Sequence, residues 1–190
     1  MTTRELQARQ RREQFLQVAL ELFAEQGFEE TSIKDLARCA HVTEGLLYHY
    51  FRSKEELLFA VIERESFLPR LRELFDETNT GSVDQVLQEF AASFSLLLSQ
   101  KHHLVRILFR EAQTNQTIAL WFGQFTQQGV TTLARFLQMR IETGELRPHN
   151  TEVTARSLFY TLVMHQLLRS ANSDFFPELI ENVLRGIQAS

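Results

Sequence analysis

Apolar residues recur at helical spacing along the whole chain, and no segment alternates apolar and polar positions between turn signals as a half-buried strand would. The pattern predicts an all-α fold of about nine helices. Phe15, Ala19, Leu22 and Phe23 share one face of a first helix, which Gly27 closes as a C-terminal cap. Ile33, Leu36, Ala37 and Ala40 mark a short second helix with Thr31 as its N-cap. Leu46, Leu47, Tyr50 and Phe51 mark a third that opens at Thr43. Ser53 caps a fourth, with Glu56 completing a capping box. Its apolar residues Leu57, Leu58, Val61 and Ile62 continue toward Leu71 and Phe75, past a Pro69 that should kink or interrupt it.

Thr78 to Ser82 reads as a loop. Beyond it, Val83, Val86, Leu87, Phe90, Phe94, Leu97 and Leu98 form one stripe, and Leu104, Val105, Leu108, Phe109 and Ala112 another. A long helical segment from about Asn115 to Thr143 is ended by Gly144 and Pro148. Two further helices run from Thr151 to about Ala171 and from about Pro177 to Gln188. The expected division is a helix-turn-helix domain over residues 1–54 and a ligand-binding and dimerisation domain over residues 55–190. That boundary falls inside the fourth helix, which would make the helix a lever between the halves.

Two short helices joined by a turn form a helix-turn-helix, whose second helix enters the major groove of DNA. Here that second helix opens at Thr43, and the residues left facing outward are Thr43, Glu44, Gly45, Tyr48 and His49. The segment Gly27 to Leu57 resembles the signature of the tetracycline-repressor-like (TetR) regulators. The likeness rests on Phe23, Gly27 and Phe28 closing the first helix, Thr31 to Ile33 opening the second and Val42 and Thr43 opening the third. The runs Leu47 to Phe51 and Ser53 to Leu57 complete it.

That resemblance implies a ligand-responsive transcriptional regulator, a repressor by the family's majority, that binds a palindromic double-stranded DNA operator as a homodimer. It also implies release by a small hydrophobic effector. Lys54 corresponds to the family's phosphate anchor, and Thr31 or Ser32 would donate to phosphate as well as cap. Tyr48 would bring its hydroxyl to a phosphate or its ring to a thymine methyl, while Tyr50 faces the domain core. His49 would meet backbone or a base. Arg9, Arg11 and Arg12 either reach a minor groove or form a solvated basic tail. Two positions depart from the family pattern. His41 stands where the turn usually has glycine, which implies a mildly strained left-handed residue. Glu44 stands where a neutral or basic residue is usual, and either accepts a hydrogen bond from a cytosine amine or only caps.

The formal net charge of −4 on 190 residues argues at first against a nucleic-acid partner. Over residues 1–54, however, eight bases meet eight acids, 8 − 8 = 0, so the expected reading head is neutral while the remainder is acidic. Such a head depends on a few placed phosphate contacts. The single cysteine, Cys39, excludes an internal disulfide and reads as a packing residue. The charged N-terminus does not resemble a signal peptide and no apolar run is of membrane-spanning length, so a soluble, cytoplasmic protein with no membrane partner is expected.

An enzyme finds little support. The seven glycines are scattered with no phosphate-cradling cluster, and the neighbours His102 and His103 point about 100° apart on a helix. Glu111 and Glu142 lack an evident partner, so neither catalysis, metal nor cofactor is expected. An interaction or scaffold protein that keeps the helix-turn-helix only as packing is the alternative.

Of the 16 phenylalanines, 4 lie in the first 54 residues, so the C-terminal part is not enriched and ordinary helical core is as good a reading of its aromatics. The family resemblance instead implies an effector cavity among the middle helices, with Phe90, Phe94, Phe109, Trp121, Phe125 and Phe159 as lining. Polar anchors would then be Gln113, Asn115, Gln124, Tyr160 or His165. The last two helices are apolar over more than one stripe. Part of that surface could cover the domain's own core. By resemblance they pair with their copies as a four-helix bundle, through Leu162, Val163, Ile180, Val183, Leu184 and Ile187.

Overall fold

The computed structural model describes residues 2–76, 81–168 and 175–187. Ten helices occupy them: α1 (Thr3–Gln26), α2 (Ile33–Cys39), α3 (Glu44–Tyr50), α4 (Lys54–Arg64), α5 (Leu68–Leu74), α6 (Val83–Gln100), α7 (His102–Glu111), α8 (Gln116–Glu142), α9 (Thr151–Leu167) and α10 (Phe175–Ile187). No strand element occurs among the described residues, and among them no helix is long and apolar enough to cross a membrane. The expected loop at Thr78 to Ser82 is described only at Gly81 and Ser82, and the expected helix ends at Ala171 and Gln188 lie outside the described residues.

The chain forms two compact units. One is Met1–Ser66 together with Arg106–Trp121, and the other is Phe67–Val105 together with Phe122–Ser190. The unit holding the helix-turn-helix is therefore larger than the 1–54 span read from sequence. Of the two outcomes expected at Pro69, the helix is interrupted and not kinked: α4 ends at Arg64 with Glu65 as its C-cap, and Pro69 sits in the first turn of α5. A proline there lacks only an N–H that would have no helical partner, so it starts a helix instead of kinking one. The helices that run through both units are α7 and α8.

In the first unit α1 packs on α2 and α4, and α2 packs on α3. Phe15, Leu16, Phe23, Phe28, Leu36, Leu47, Leu57 and Leu58 fill its core, each almost wholly buried. Residues 106–121 belong to the same unit: Trp121 stacks on Phe59 with centroids 4.5 Å apart, and the Asn115 side chain donates to Glu55. In the second unit α6 is the central helix, packed by α5, α9 and α10. Its core joins Phe67, Phe75, Phe90, Phe94, Leu133, Phe136, Leu158 and Phe159.

Candidate nucleic-acid interface

α2 is seven residues long and depends on its ends. Ser32, not Thr31, is the N-cap: its Oγ accepts the Asp35 N–H at 3.1 Å, and the Asp35 carboxylate accepts from the Ser32 N–H and hydroxyl. Asp35 also pairs with Arg38 at 2.7 Å. The Ser32 hydrogen bond, followed by the charges of Arg38 and Lys34, holds the Asp35 carboxyl below its ordinary range. Thr31 is fully buried, and its hydroxyl donates to the Gly27 carbonyl at 2.7 Å. It fastens the end of α1 and has no donor to offer a phosphate.

At the other end of α2 the Val42 N–H donates to Ala37 O at 2.9 Å and the His41 N–H to Arg38 O at 3.1 Å. These are the paired bonds of a Schellman cap, which needs a left-handed residue between them. His41 supplies it at φ 55, in line with the strain expected from its side chain. The turn then delivers Thr43, whose Oγ1 accepts the Leu46 N–H at 3.3 Å and starts α3.

One face of α3 is anchored. Leu47 is buried, Tyr50 meets Phe15 edge-on at 5.2 Å, and Phe51 is buried beside the same ring. The opposite face is open: Thr43, Glu44, Gly45, Leu46, Tyr48 and His49 are not covered, and Tyr48 exposes half its surface. The structure thus brings together the five outward residues expected from sequence and adds Leu46. A Cβ at Gly45 would meet nothing within 4 Å, so glycine is not demanded there by packing inside the chain.

Lys54 is engaged with protein. Its Nζ donates to the Phe28 carbonyl at 2.7 Å and the Glu29 carbonyl at 3.2 Å, and lies 4.3 Å from the Phe28 ring centroid. An ammonium carries three N–H donors, so one remains beyond these two. Ser53 caps α4 as expected by accepting from Glu56 N–H, but the Glu56 carboxylate accepts from Arg52 N–H and does not close the box on Ser53. Cys39 is exposed, which corrects its reading as a packing residue.

Of the six aromatics expected around an effector, Phe90, Phe94 and Phe159 come together, with centroids 5.1 to 5.5 Å apart and Phe67 beside Phe94 at 5.3 Å. Trp121 belongs to the other compact unit, as does Phe109, and Phe125 is half-buried on α8. Among the expected polar anchors, Gln113 and Gln124 are not buried, and Asn115 is spent on Glu55 and on the Ile118 N–H. Sequence reasoning missed Ser95, which follows Phe94 and has a buried hydroxyl without a hydrogen-bond partner among the described residues. His165 also has both ring nitrogens buried and unpartnered among those residues, with its ring stacked on Phe175 at 4.1 Å.

Leu162, Ile180 and Leu184, expected at a dimer surface, lie in the second unit's own core, and Val163, Val183 and Ile187 are partly buried against it. The exposed apolar positions of α9 are instead Val153, Tyr160, Met164 and Leu168. Their spacing of seven, four and four puts them on one helix face. That second stripe was visible in the sequence, but spacing alone does not say which stripe of a two-sided helix turns inward.

Residues 15–61 match the family described as bacterial regulatory proteins, tetR family, and residues 85–183 match the AefR-like transcriptional repressor, C-terminal domain. The HTH-type transcriptional regulator UidR of Escherichia coli (strain K12) is 28% identical over 165 residues, covering 83% of this chain and 81% of UidR. Salmonella enterica GusR has the same fold, with a TM-score of 0.78 at 24% identity over 93% of this chain and 94% of GusR. So does the transcriptional regulator FadR of Bacillus subtilis in complex with stearoyl-CoA, with a TM-score of 0.72 at 22% identity over 90% of this chain and 95% of FadR.

Proposed function

Because this chain belongs to the TetR family of bacterial transcriptional regulators and not to an enzyme family, we propose that it is a repressor that binds a palindromic operator as a homodimer and leaves it when a small apolar effector binds. The observation that carries the reading is the open face of α3, the second helix of the helix-turn-helix within matched residues 15–61, which presents Thr43, Glu44, Tyr48 and His49 to solvent opposite a buried Leu47. Those side chains enter the major groove, with Glu44 and Gly45 setting sequence preference and Tyr48, His49, Ser32 and the third donor of Lys54 serving register. The protein acts in the cytoplasm, where a bacterial chromosome lies.

Dimerisation is assigned to α9. Val153, Tyr160, Met164 and Leu168 form an exposed apolar face that a second copy would cover. Two heads are needed because one small head binds too weakly to choose a site from a genome.

The effector site is assigned to the second unit, around Phe67, Phe90, Phe94 and Phe159; Ser95, the residue after Phe94, has a buried hydroxyl without a partner among the described residues and would offer one polar contact. An apolar ligand with a single acceptor suits those groups. Displacing these rings disturbs α8, which continues into the first unit, and so links effector to operator affinity by a reciprocal free energy.

Selection from random duplexes at low ionic strength tests the whole reading. Enrichment of a two-fold sequence is the expected result, and mobility shifts with acyl thioesters and other apolar molecules then identify the effector. A purified protein that prefers no duplex returns the chain to the interaction-protein alternative.

A further inference from the structure

The first turns of α1 are not covered by the rest of their unit. Every residue from Thr2 to Glu13 is exposed, and the apolar core is first met at Phe15 and Leu16. This stretch is nevertheless helical, for local reasons. Thr2 and Glu5 form a reciprocal capping box at 3.3 and 2.7 Å, and the residues that follow are mostly Arg, Gln, Glu, Leu and Ala, all strong helix formers. From Phe15 back to Arg4 the rod is about 16 Å long at 1.5 Å per residue.

The base of this rod is tied to the DNA-reading motif. Gln14 Nε2 donates to Ala40 O at the end of α2 at 3.1 Å, and Arg11 donates to Gln14 at 2.8 Å. Phe15 packs on Tyr50 and Phe51, and the Arg12 guanidinium lies 5.3 Å from the Phe51 ring centroid. The rod therefore leaves the unit beside the end of the recognition helix.

Its charge differs from that of the rest of the head. Residues 2–13 carry Arg4, Arg9, Arg11 and Arg12 against Glu5 and Glu13, 4 − 2 = +2. Residues 14–54 carry four bases against six acids, 4 − 6 = −2. Glu5 is bound into the cap, and Glu13 is held by Arg64 at 2.8 Å. At 100° per residue the four arginines fall within about 160° of the helix circumference, with Arg4 and Arg11 two turns apart on nearly one line.

We infer that the exposed first turns of α1 are a second DNA-contacting element, whose arginines lie along the phosphate backbone flanking the half-site; this rests on the DNA-reading function proposed above. A helix is about 10 Å or more across and the minor groove about 6 Å wide, so the rod cannot thread that groove as an extended arm would. The major groove is taken by α3. Phosphates remain, and they are what a net-negative reading motif needs from an adjacent element.

The test uses the full chain and its selected operator, titrated over a salt series. The variant Arg4→Gln, Arg9→Gln, Arg11→Gln keeps helix formers in place and should leave circular dichroism, melting temperature and selected sequence unchanged. Its plot of log affinity against log salt should be shallower by about 0.9 for each phosphate no longer neutralised, roughly 2 to 3 in all. Ala8→Pro keeps every arginine but breaks the rod, and should lose affinity in the same direction. A wild-type salt slope in the triple variant overturns the inference while leaving the operator reading intact. Wild-type affinity in Ala8→Pro also overturns it, because the arginines would then act from a flexible tail. If the unaltered protein selects no duplex, both proposals fall.

Discussion

Lys54 Nζ donates to the Phe28 carbonyl at 2.7 Å across 26 positions of sequence, and lies 4.3 Å from the centroid of the Phe28 ring. One side chain thus clamps the beginning of the α1–α2 connection to the start of α4. A hydrogen bond from a charged donor is worth about 1.5–3 kcal/mol, and half-burial puts this one near the lower end. Lys54→Ala is expected to destabilise the first unit by about 1–2 kcal/mol, read in urea denaturation, and to weaken binding to all duplexes alike. An unchanged midpoint would mean that the clamp contributes nothing.

His41 occupies the left-handed position of the Schellman cap at φ 55, where a side chain costs about 1–2 kcal/mol. His41→Gly removes that cost but gives back part of it as unfolded-chain entropy. The expected gain is about 0.5–1 kcal/mol, seen as a higher denaturation midpoint, while His41→Val should lower it. The two variants moving together would contradict the cap geometry.

A Cβ on Gly129 would stand 2.8 Å from Phe159 Cζ and 3.1 Å from Cε1, so α8 and α9 approach this closely only because residue 129 has no side chain. Gly129→Ala is expected to cost about 1–3 kcal/mol by overpacking. Pairing it with Phe159→Leu should recover part of that cost in a double-mutant cycle of thermal melts. Additive effects would show that the two positions do not press on each other.

The Asp35 carboxyl is held below its ordinary pKa, first by the Ser32 hydroxyl and then by Arg38 and Lys34. A group depressed in the folded state contributes stability above its unfolded pKa and loses that contribution as pH falls through the folded value. Acidification below the ordinary aspartate range should therefore loosen α2, and Asp35→Asn should flatten that part of the stability profile. Melting curves of both proteins from neutral to strongly acid pH check the sign, since a variant that steepens the acid limb would reverse it.

Met164→Asp with Leu168→Asp alters exposed positions of α9, whereas Leu162→Asp puts a charge in a fully buried one. If the unaltered protein forms the proposed dimer, the double variant should remain folded and sediment as a monomer at the same concentration. Leu162→Asp should instead unfold the second unit. A double variant that still dimerises would remove α9 from the interface.

Features set by groups a few residues apart were legible in the sequence, and those set by long-range packing were not. Gly27, Thr43 and Ser53 cap or end the helices they were expected to, and the strain at His41 was legible, because each involves backbone groups within a few residues. Ser32 caps α2 in place of Thr31 for a long-range reason. Thr31 is fully buried with its hydroxyl on Gly27, so only its neighbour is free to cap. Cys39 and the α9 stripe misled in the same way, since apolar character marks what can be buried and not which face is.

The helical periods, the turn before Thr43 and the outward set on α3 were written in the linear order of residues, since helix period and capping are short-range physics. Tertiary packing decided that Lys54 grips a carbonyl, that Leu162 and Ile180 turn inward while Met164 and Leu168 do not, and that residues 106–121 join the first unit. Those outcomes depend on which surfaces meet across tens of residues, and burial free energy is indifferent to sequence distance.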